Sequence, residues 1–142
     1  MIVFVIGGSG SGKSAYAEKR LLAMEAEKKH YIATMRVFDE EGKKRVEKHR
    51  TMRREKGFLT IEKPIDLGEI ALDAGDAWML ECVSNLLANE CYMESGAKAR
   101  ELDPVAEIEK GMEALLECCE HVVVVTNEVF SDIPVESREM KS

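Results

Sequence analysis

The sequence predicts an α/β protein with a mostly parallel sheet flanked by helices. Short β-branched apolar runs alternate with helical patterns along the chain. The runs are apolar throughout, as in strands covered on both faces. A glycine-rich turn separates the first such run from the first helical pattern. In sheets of this kind ligands bind beyond the carboxyl ends of the strands. Attention therefore falls on Gly7–Ser14, Thr34–Met35, Glu62, Glu81 and 126–128.

The elements follow in order. Ile2–Ile6 is a buried strand bounded at once by glycine. A helix from Lys13 to Glu27 places Ala17, Leu21 and Met24 on one face at i, i+4 and i+7. His30–Thr34 is a second strand. Asp39 N-caps a polar helix over Glu40–Lys56, and Gly57 ends it. Phe58–Glu62 is a strand closed by Pro64. A short helix is expected over Asp66–Ala74, a strand over Ala77–Val83 and a helix over Ser84–Ser95. Asp103-Pro104 gives the clearest helix start, with an Asp cap and proline at the first helical position. Its apolar stripe is Val105, Ile108, Met112, Leu115, Leu116 and Cys119. His121–Thr126 is a final valine-rich strand, followed by an irregular polar segment.

The 142 residues fit one domain, 1–142, large enough to bury a core without staples. The longest apolar runs, Met1–Ile6 and Val122–Val125, are far short of the ~20 residues of a membrane span. With no export signal in view, the expectation is a cytoplasmic protein whose four cysteines are reduced thiols. The net charge of −7 argues against a nucleic-acid binder. The charge is uneven, however. Residues 43–56 hold eight Lys/Arg against two Glu, a basic island in an otherwise acidic chain. That pattern points to one anionic ligand at one place. Nucleic acid is the weaker occupant, because no aromatic residues interleave with these bases.

Gly7-Gly8-Ser9-Gly10-Ser11-Gly12-Lys13-Ser14 matches GxxxxGK[ST], the phosphate loop. The glycines let successive N–H groups curl around a phosphate, and the following helix adds its N-terminal dipole. Lys13 reaches the β- and γ-phosphates of a nucleoside triphosphate, and the Ser14 hydroxyl ligates Mg²⁺. The motif stands between a strand and a helix, the context it requires. Glu81, at the end of WMLEC, fits the strand-end acid that completes the Mg²⁺ site. Asp76 falls at the wrong end of the same strand.

His49 sits in the middle of the basic helix. Its cations would attract a polyphosphate, and histidine can form covalent intermediates. Spacing alone favours an incidental ring on a solvated helix. His30 and His121 sit at strand starts, on the edge away from the ligand side, and are read as structural. Glu62 ends a strand on the ligand side. Asn127 is either a cap or a ligand contact. The methionines and Cys118-Cys119 are read as packing.

In order, GGSGSGKS, YIAT, a basic helix with one central histidine, an Ile-Glu strand end, LEC and VVVVTNEV resemble the bifunctional adenosylcobinamide kinase / adenosylcobinamide-phosphate guanylyltransferase family of cobalamin biosynthesis. The resemblance implies a P-loop NTPase-like fold and two reactions. Adenosylcobinamide is phosphorylated, and GMP from GTP is then joined to that phosphate through a GMP-histidine intermediate. ATP or GTP serves as phosphate donor. The resemblance assigns Gly7–Ser14 to the phosphate loop and Ala33, Thr34 and Met35 to the segment after the second strand. His49 becomes the guanylylated residue, followed at the nucleotide by Arg50, Thr51, Met52 and Arg53. Glu62 and Glu81 become the two acids of the nucleotide site. A corrinoid substrate and a homo-oligomer, a trimer in the family, are also implied. Family members continue past the Ile-Pro segment into an Arg-rich helix and a last strand. This chain stops at Ser142, so that helix and strand are expected to be missing, leaving a sheet edge uncovered.

Overall fold

The computed structural model describes residues 1–7, 12–36 and 39–127. Its elements run β1 (Ile2–Gly7), α1 (Lys13–Leu22), β2 (Lys29–Ala33), α2 (Glu40–Glu55), β3 (Phe58–Glu62), β4 (Ala77–Glu81), α3 (Val83–Tyr92), α4 (Pro104–Cys118) and β5 (His121–Asn127). The strands form one sheet in the order β1-β5-β4-β2-β3, and every pairing is parallel. The register aligns the strand ends. Ala33 lies level with both Glu62 and Glu81, and Gly7 is level with Asn127. The five carboxyl ends therefore share one edge.

Both faces of the inner strands β5, β4 and β2 are covered, which explains their apolar runs, whereas on the edge strand β1, expected to be buried, Ile2, Phe4 and Ile6 are exposed because nothing among the described residues packs on that face. On β4, Ala77 and Met79 face the layer holding Ala17, Leu21 and Tyr31. Trp78 and Leu80 face the layer holding Leu86, Ile108 and Leu115. At about 1.5–3 kcal/mol per fully buried large side chain, these two layers dominate the stability. α2 is different, because none of its side chains is fully buried. It is fixed by its ends: Asp39 accepts from the Gly42 N–H at 2.7 Å, and Gly57 follows the last turn at φ +93°. No helix among the described residues is long and apolar enough to cross a membrane.

Several boundaries differ from expectation. α1 stops at Leu22 rather than Glu27. The Met24 N–H bonds the Leu21 carbonyl at 3.1 Å, and the Lys28 carbonyl already accepts from the Ala77 N–H. The chain must reach the sheet there, while Met24 still packs in the core. The helix expected over Asp66–Ala74 is only a 3₁₀ turn, Leu67–Glu69. Buried Glu90 explains this. It accepts from the Asp66 N–H at 3.0 Å and from the Ala97 N–H at 2.8 Å, and Arg100 pairs with Asp66 at 2.7 Å. Asp66 is held in a left-handed conformation, φ 58°, ahead of the turn, and the chain is extended again at Ile70, φ −70° and ψ 131°, which ends it.

β4 ends at Glu81, not Val83, because Cys82 becomes the N-cap of α3 and accepts from the Asn85 N–H at 3.4 Å. α3 correspondingly ends at Tyr92 rather than Ser95. Asp103 caps α4, accepting from the Val105 N–H at 3.0 Å. Val105 itself is exposed rather than part of the stripe, and the buried face runs through Ile108, Gly111 and Leu115. At the end of that helix, burial and then the adjacent Cys118 push the Cys119 thiol up to about 12, so it packs as a neutral group. The irregular final segment expected after β5 falls on 128–142, outside the described residues.

Gly111 is where α4 meets the 3₁₀ turn. A Cβ there would lie 2.8 Å from Leu67 Cβ and 3.0 Å from the Gly68 nitrogen. Gly111→Ala is expected to destabilise the fold by about 1–3 kcal/mol from overpacking, although alanine is the better helix former by about 1 kcal/mol. Urea unfolding of the two proteins checks this, and equal or greater stability of the variant would contradict it.

Candidate active site

The aligned strand ends open into a cleft of about 330 Å³. Its floor is built around Glu81, the last residue of β4. One carboxylate oxygen accepts from the Ser14 hydroxyl in the first turn of α1, and the other accepts from the Tyr31 hydroxyl on β2. Burial first, and then the Glu81 carboxylate, raise the Tyr31 hydroxyl above the ordinary tyrosine range. It therefore stays protonated and donates. Thr34 sets the backbone beneath. Its N–H bonds the Glu81 carbonyl at 3.1 Å, and its hydroxyl oxygen accepts from the Cys82 N–H at 2.9 Å. Asn89 holds the same segment from α3, donating to the Thr34 carbonyl at 2.7 Å and the Pro64 carbonyl at 2.9 Å.

One wall of the cleft is cationic. His49, Met52, Arg53 and Lys56 line it. Their spacing, i, i+3, i+4 and i+7, is one face of a helix. The Arg53 guanidinium lies over the Tyr31 ring at 4.0 Å. Lys56 pairs with Glu18 of α1 at 3.3 Å. Asn85, in the first turn of α3, and Asn127, at the end of β5, also line the cleft.

Of the residues singled out in the sequence, Ser14, Ala33, Thr34, Met35, His49, Met52, Arg53 and Glu81 are brought together here. Gly7, Gly12 and Lys13 do not line this cleft and border a separate depression with Phe4 and Tyr16. Gly12 takes φ +80°, a conformation that favours glycine, just before α1. Gly8, Ser9, Gly10 and Ser11 lie outside the described residues. Arg50, Thr51 and Glu62 do not line the cleft. Arg50 pairs with Glu62 beside β3, and the exposed Thr51 donates its hydroxyl to the Glu47 carbonyl at 3.0 Å. The physical reason is helix phase: consecutive residues point about 100° apart. His30 stacks on Trp78 at 4.0 Å and lies 2.6 Å from Asp76, at the opposite edge of the sheet. His121 opens β5 at that same edge.

Tyr31, Glu18, Lys56 and Asn85 were missed. Tyr31 has a signal, since it lies two residues before Ala33 and so shares its face of the strand. Lys56 has one too, at i+7 from His49. Asn85 has one in the polar Ser-Asn pair that follows the LEC strand end, and Glu18 has none.

The Ser14 hydroxyl and the Glu81 carboxylate meet at one point. Both are hard oxygen donors, and this donor set fits Mg²⁺.

An all-parallel sheet whose first strand leads through a glycine-rich sequence into a Lys-Ser helix start, and which sets a strand-end carboxylate on that serine, defines a nucleotide-binding α/β protein of the P-loop class. The family model for cobinamide kinase / cobinamide phosphate guanyltransferase matches residues 3–141. The bifunctional adenosylcobalamin biosynthesis protein CobU of Escherichia coli (strain K12) is 35% identical over 149 aligned residues, covering 97% of this chain and 81% of that protein. Its namesake in Salmonella typhimurium (strain LT2) is 32% identical with the same shares covered. The chain belongs to the cobinamide kinase / cobinamide phosphate guanyltransferase family, nucleotide-using transferases of cobalamin biosynthesis.

Thr34 is fully buried, so removing its hydroxyl orphans the Cys82 N–H. Thr34→Val is expected to cost about 1–3 kcal/mol in urea unfolding. A variant as stable as the parent would show that the hydroxyl does not hold this turn.

Proposed function

We propose that this chain transfers GMP from GTP to cobinamide phosphate through a covalent intermediate on His49, after first phosphorylating cobinamide at its hydroxyl. The supporting observation is that His49 shares one face of α2 with Arg53 and Lys56 and lines the same cleft as Ser14 and Glu81. A nucleophile, cations and the phosphate end of the site thus open onto one space.

In the kinase step the cobinamide hydroxyl attacks the γ-phosphorus of ATP or GTP. The new P–O bond forms as the bond to the β-phosphate oxygen breaks, the nucleoside diphosphate leaves, and the hydroxyl proton passes to solvent. In the second reaction a His49 ring nitrogen attacks the α-phosphorus of GTP. A P–N bond forms, the bond to the β-phosphate oxygen breaks and pyrophosphate leaves. A phosphate oxygen of cobinamide phosphate then attacks the same phosphorus, and the P–N bond breaks to free His49.

The chain's own groups bind and orient. Gly7–Ser14 hold the triphosphate, with Lys13 as counter-charge. Arg53 and Lys56 draw the polyphosphate towards the ring without a covalent role. Ala33, Thr34, Met35 and Met52 bound the space left for the nucleoside. When bound, Mg²⁺ held by Ser14 and Glu81 neutralises phosphate charge. Arg50, Thr51 and Glu62 stand off the cleft and receive no role.

Incubation with Mg²⁺ and GTP labelled at the α-phosphate should leave label on the protein and release pyrophosphate. Label at the γ-phosphate should not remain by this route. The phosphoramidate should survive alkali and be lost in mild acid. His49→Ala should abolish labelling but keep reversible GTP binding, while His30→Ala and His121→Ala label normally. Clear labelling of His49→Ala would overturn the assignment.

Lys13 contributes ligand charge rather than core packing. Lys13→Ala should lose triphosphate binding, measured by titration calorimetry, with an unchanged circular dichroism spectrum. Unchanged affinity for GTP would remove the phosphate-loop assignment.

A further inference from the structure

Tyr31 touches both halves of the cleft. Its side chain sits in the buried layer between β2 and α1, with the residue 5% exposed. The ring plane is fixed from the edge by Phe58, the first residue of β3, at a centroid distance of 6.1 Å and an interplanar angle of 60°. The hydroxyl donates to one oxygen of Glu81, which leaves the other oxygen for Ser14. The face of the same ring receives Arg53 at 4.0 Å. Arg53 is one helical turn beyond His49 on the face that lines the cleft.

We infer that Tyr31 is a positioning residue: its hydroxyl orients Glu81 against Ser14, and its ring seats Arg53, so one side chain sets the spacing between the phosphate end of the cleft and the helix carrying His49. This rests on the proposed roles of Ser14, Glu81 and His49.

Two features make the arrangement more than packing. A carboxylate with both oxygens engaged by different elements cannot rotate without breaking a charge-assisted hydrogen bond. α2 buries none of its side chains completely, so contacts such as the ring under Arg53 fix its height over the sheet. A cation over a desolvated aromatic face is among the stronger contacts open to such a helix.

The two tasks separate by substitution. Tyr31→Phe keeps the ring and removes the hydroxyl, Tyr31→Leu removes both, and Arg53→Met removes the cation while leaving the core intact. The readouts are the Mg²⁺ concentration for half-maximal GTP binding, metal-free GTP binding, and the rate of α-phosphate labelling at saturating Mg²⁺. Tyr31→Phe should raise the Mg²⁺ requirement about tenfold, the scale of one hydrogen bond to a charged group. Its metal-free GTP binding and its labelling rate at saturating Mg²⁺ should match the parent. Arg53→Met should label about tenfold more slowly at saturating Mg²⁺. Tyr31→Leu should show both defects. A merely structural tyrosine would not divide its effects in this way.

Tyr31→Phe with the parent's Mg²⁺ requirement would overturn the inference, as would Arg53→Met labelling at the parent's rate. The reading of the site beneath it fails differently: the unmutated protein would then bind GTP without regard to Mg²⁺ or never be labelled on His49. Failure of the Tyr31 inference leaves both of those results intact.

Discussion

Ser14, Tyr31 and Glu81 come from three elements and meet at one carboxylate. The meeting depends on parallel register. Glu81 lies level with Ala33 and is clipped to Thr34 through the backbone. A slip of one residue would turn every side chain of β4 to the other face. Trp78 and Leu80 would exchange layers with Ala77 and Met79, and Glu81 would leave the cleft. The apolar layers thereby enforce the geometry of the polar floor, because their burial outweighs any single hydrogen bond there.

α2 brings the opposite constraint. It carries the basic island, and charge of one sign resists burial. It is therefore tethered rather than embedded. Lys56–Glu18 and Arg50–Glu62 are partly exposed pairs, each worth up to about 1 kcal/mol. The stacked Arg53 is held over a buried ring. Of the helices that border the cleft, α1 and α2 thus differ in how they are held: α1 buries Ala17 and Leu21 in the core, and α2 is pinned by its capped ends, by ion pairs and at one ring.

The strands were legible in the sequence as short runs rich in β-branched residues, although on β1 the exposed Ile2, Phe4 and Ile6 alternate with the more buried Val3 and Val5. Asp39, Gly57 and Asp103 announced their helix ends through local chemistry. The end of α1 was not legible, since 23–28 contain no glycine, proline or capping residue, and the stop is set by sheet pairing. The turn at Leu67 was hidden for a similar reason, being fixed by Glu90 from a distant part of the chain. In the site, Ser14, His49 and Glu81 stood out through motif, charge and strand-end position. Tyr31 reads in sequence as an ordinary strand aromatic, and its hydroxyl matters only once β4 is alongside. Arg50 and Arg53 look alike in sequence and differ in helix phase.

Trp78 is the chain's only tryptophan. It lies three residues before Glu81 on the central strand, packed in the layer away from α1, with its indole N–H donating to the Asp73 carbonyl at 3.1 Å. Its ring stacks on His30, and the cleft is lined by other residues. The intrinsic emission of the protein therefore reports on the back of the sheet. It changes when the layers come apart and is insulated from a ligand entering the front, so a single optical signal follows unfolding cleanly even in the presence of nucleotide.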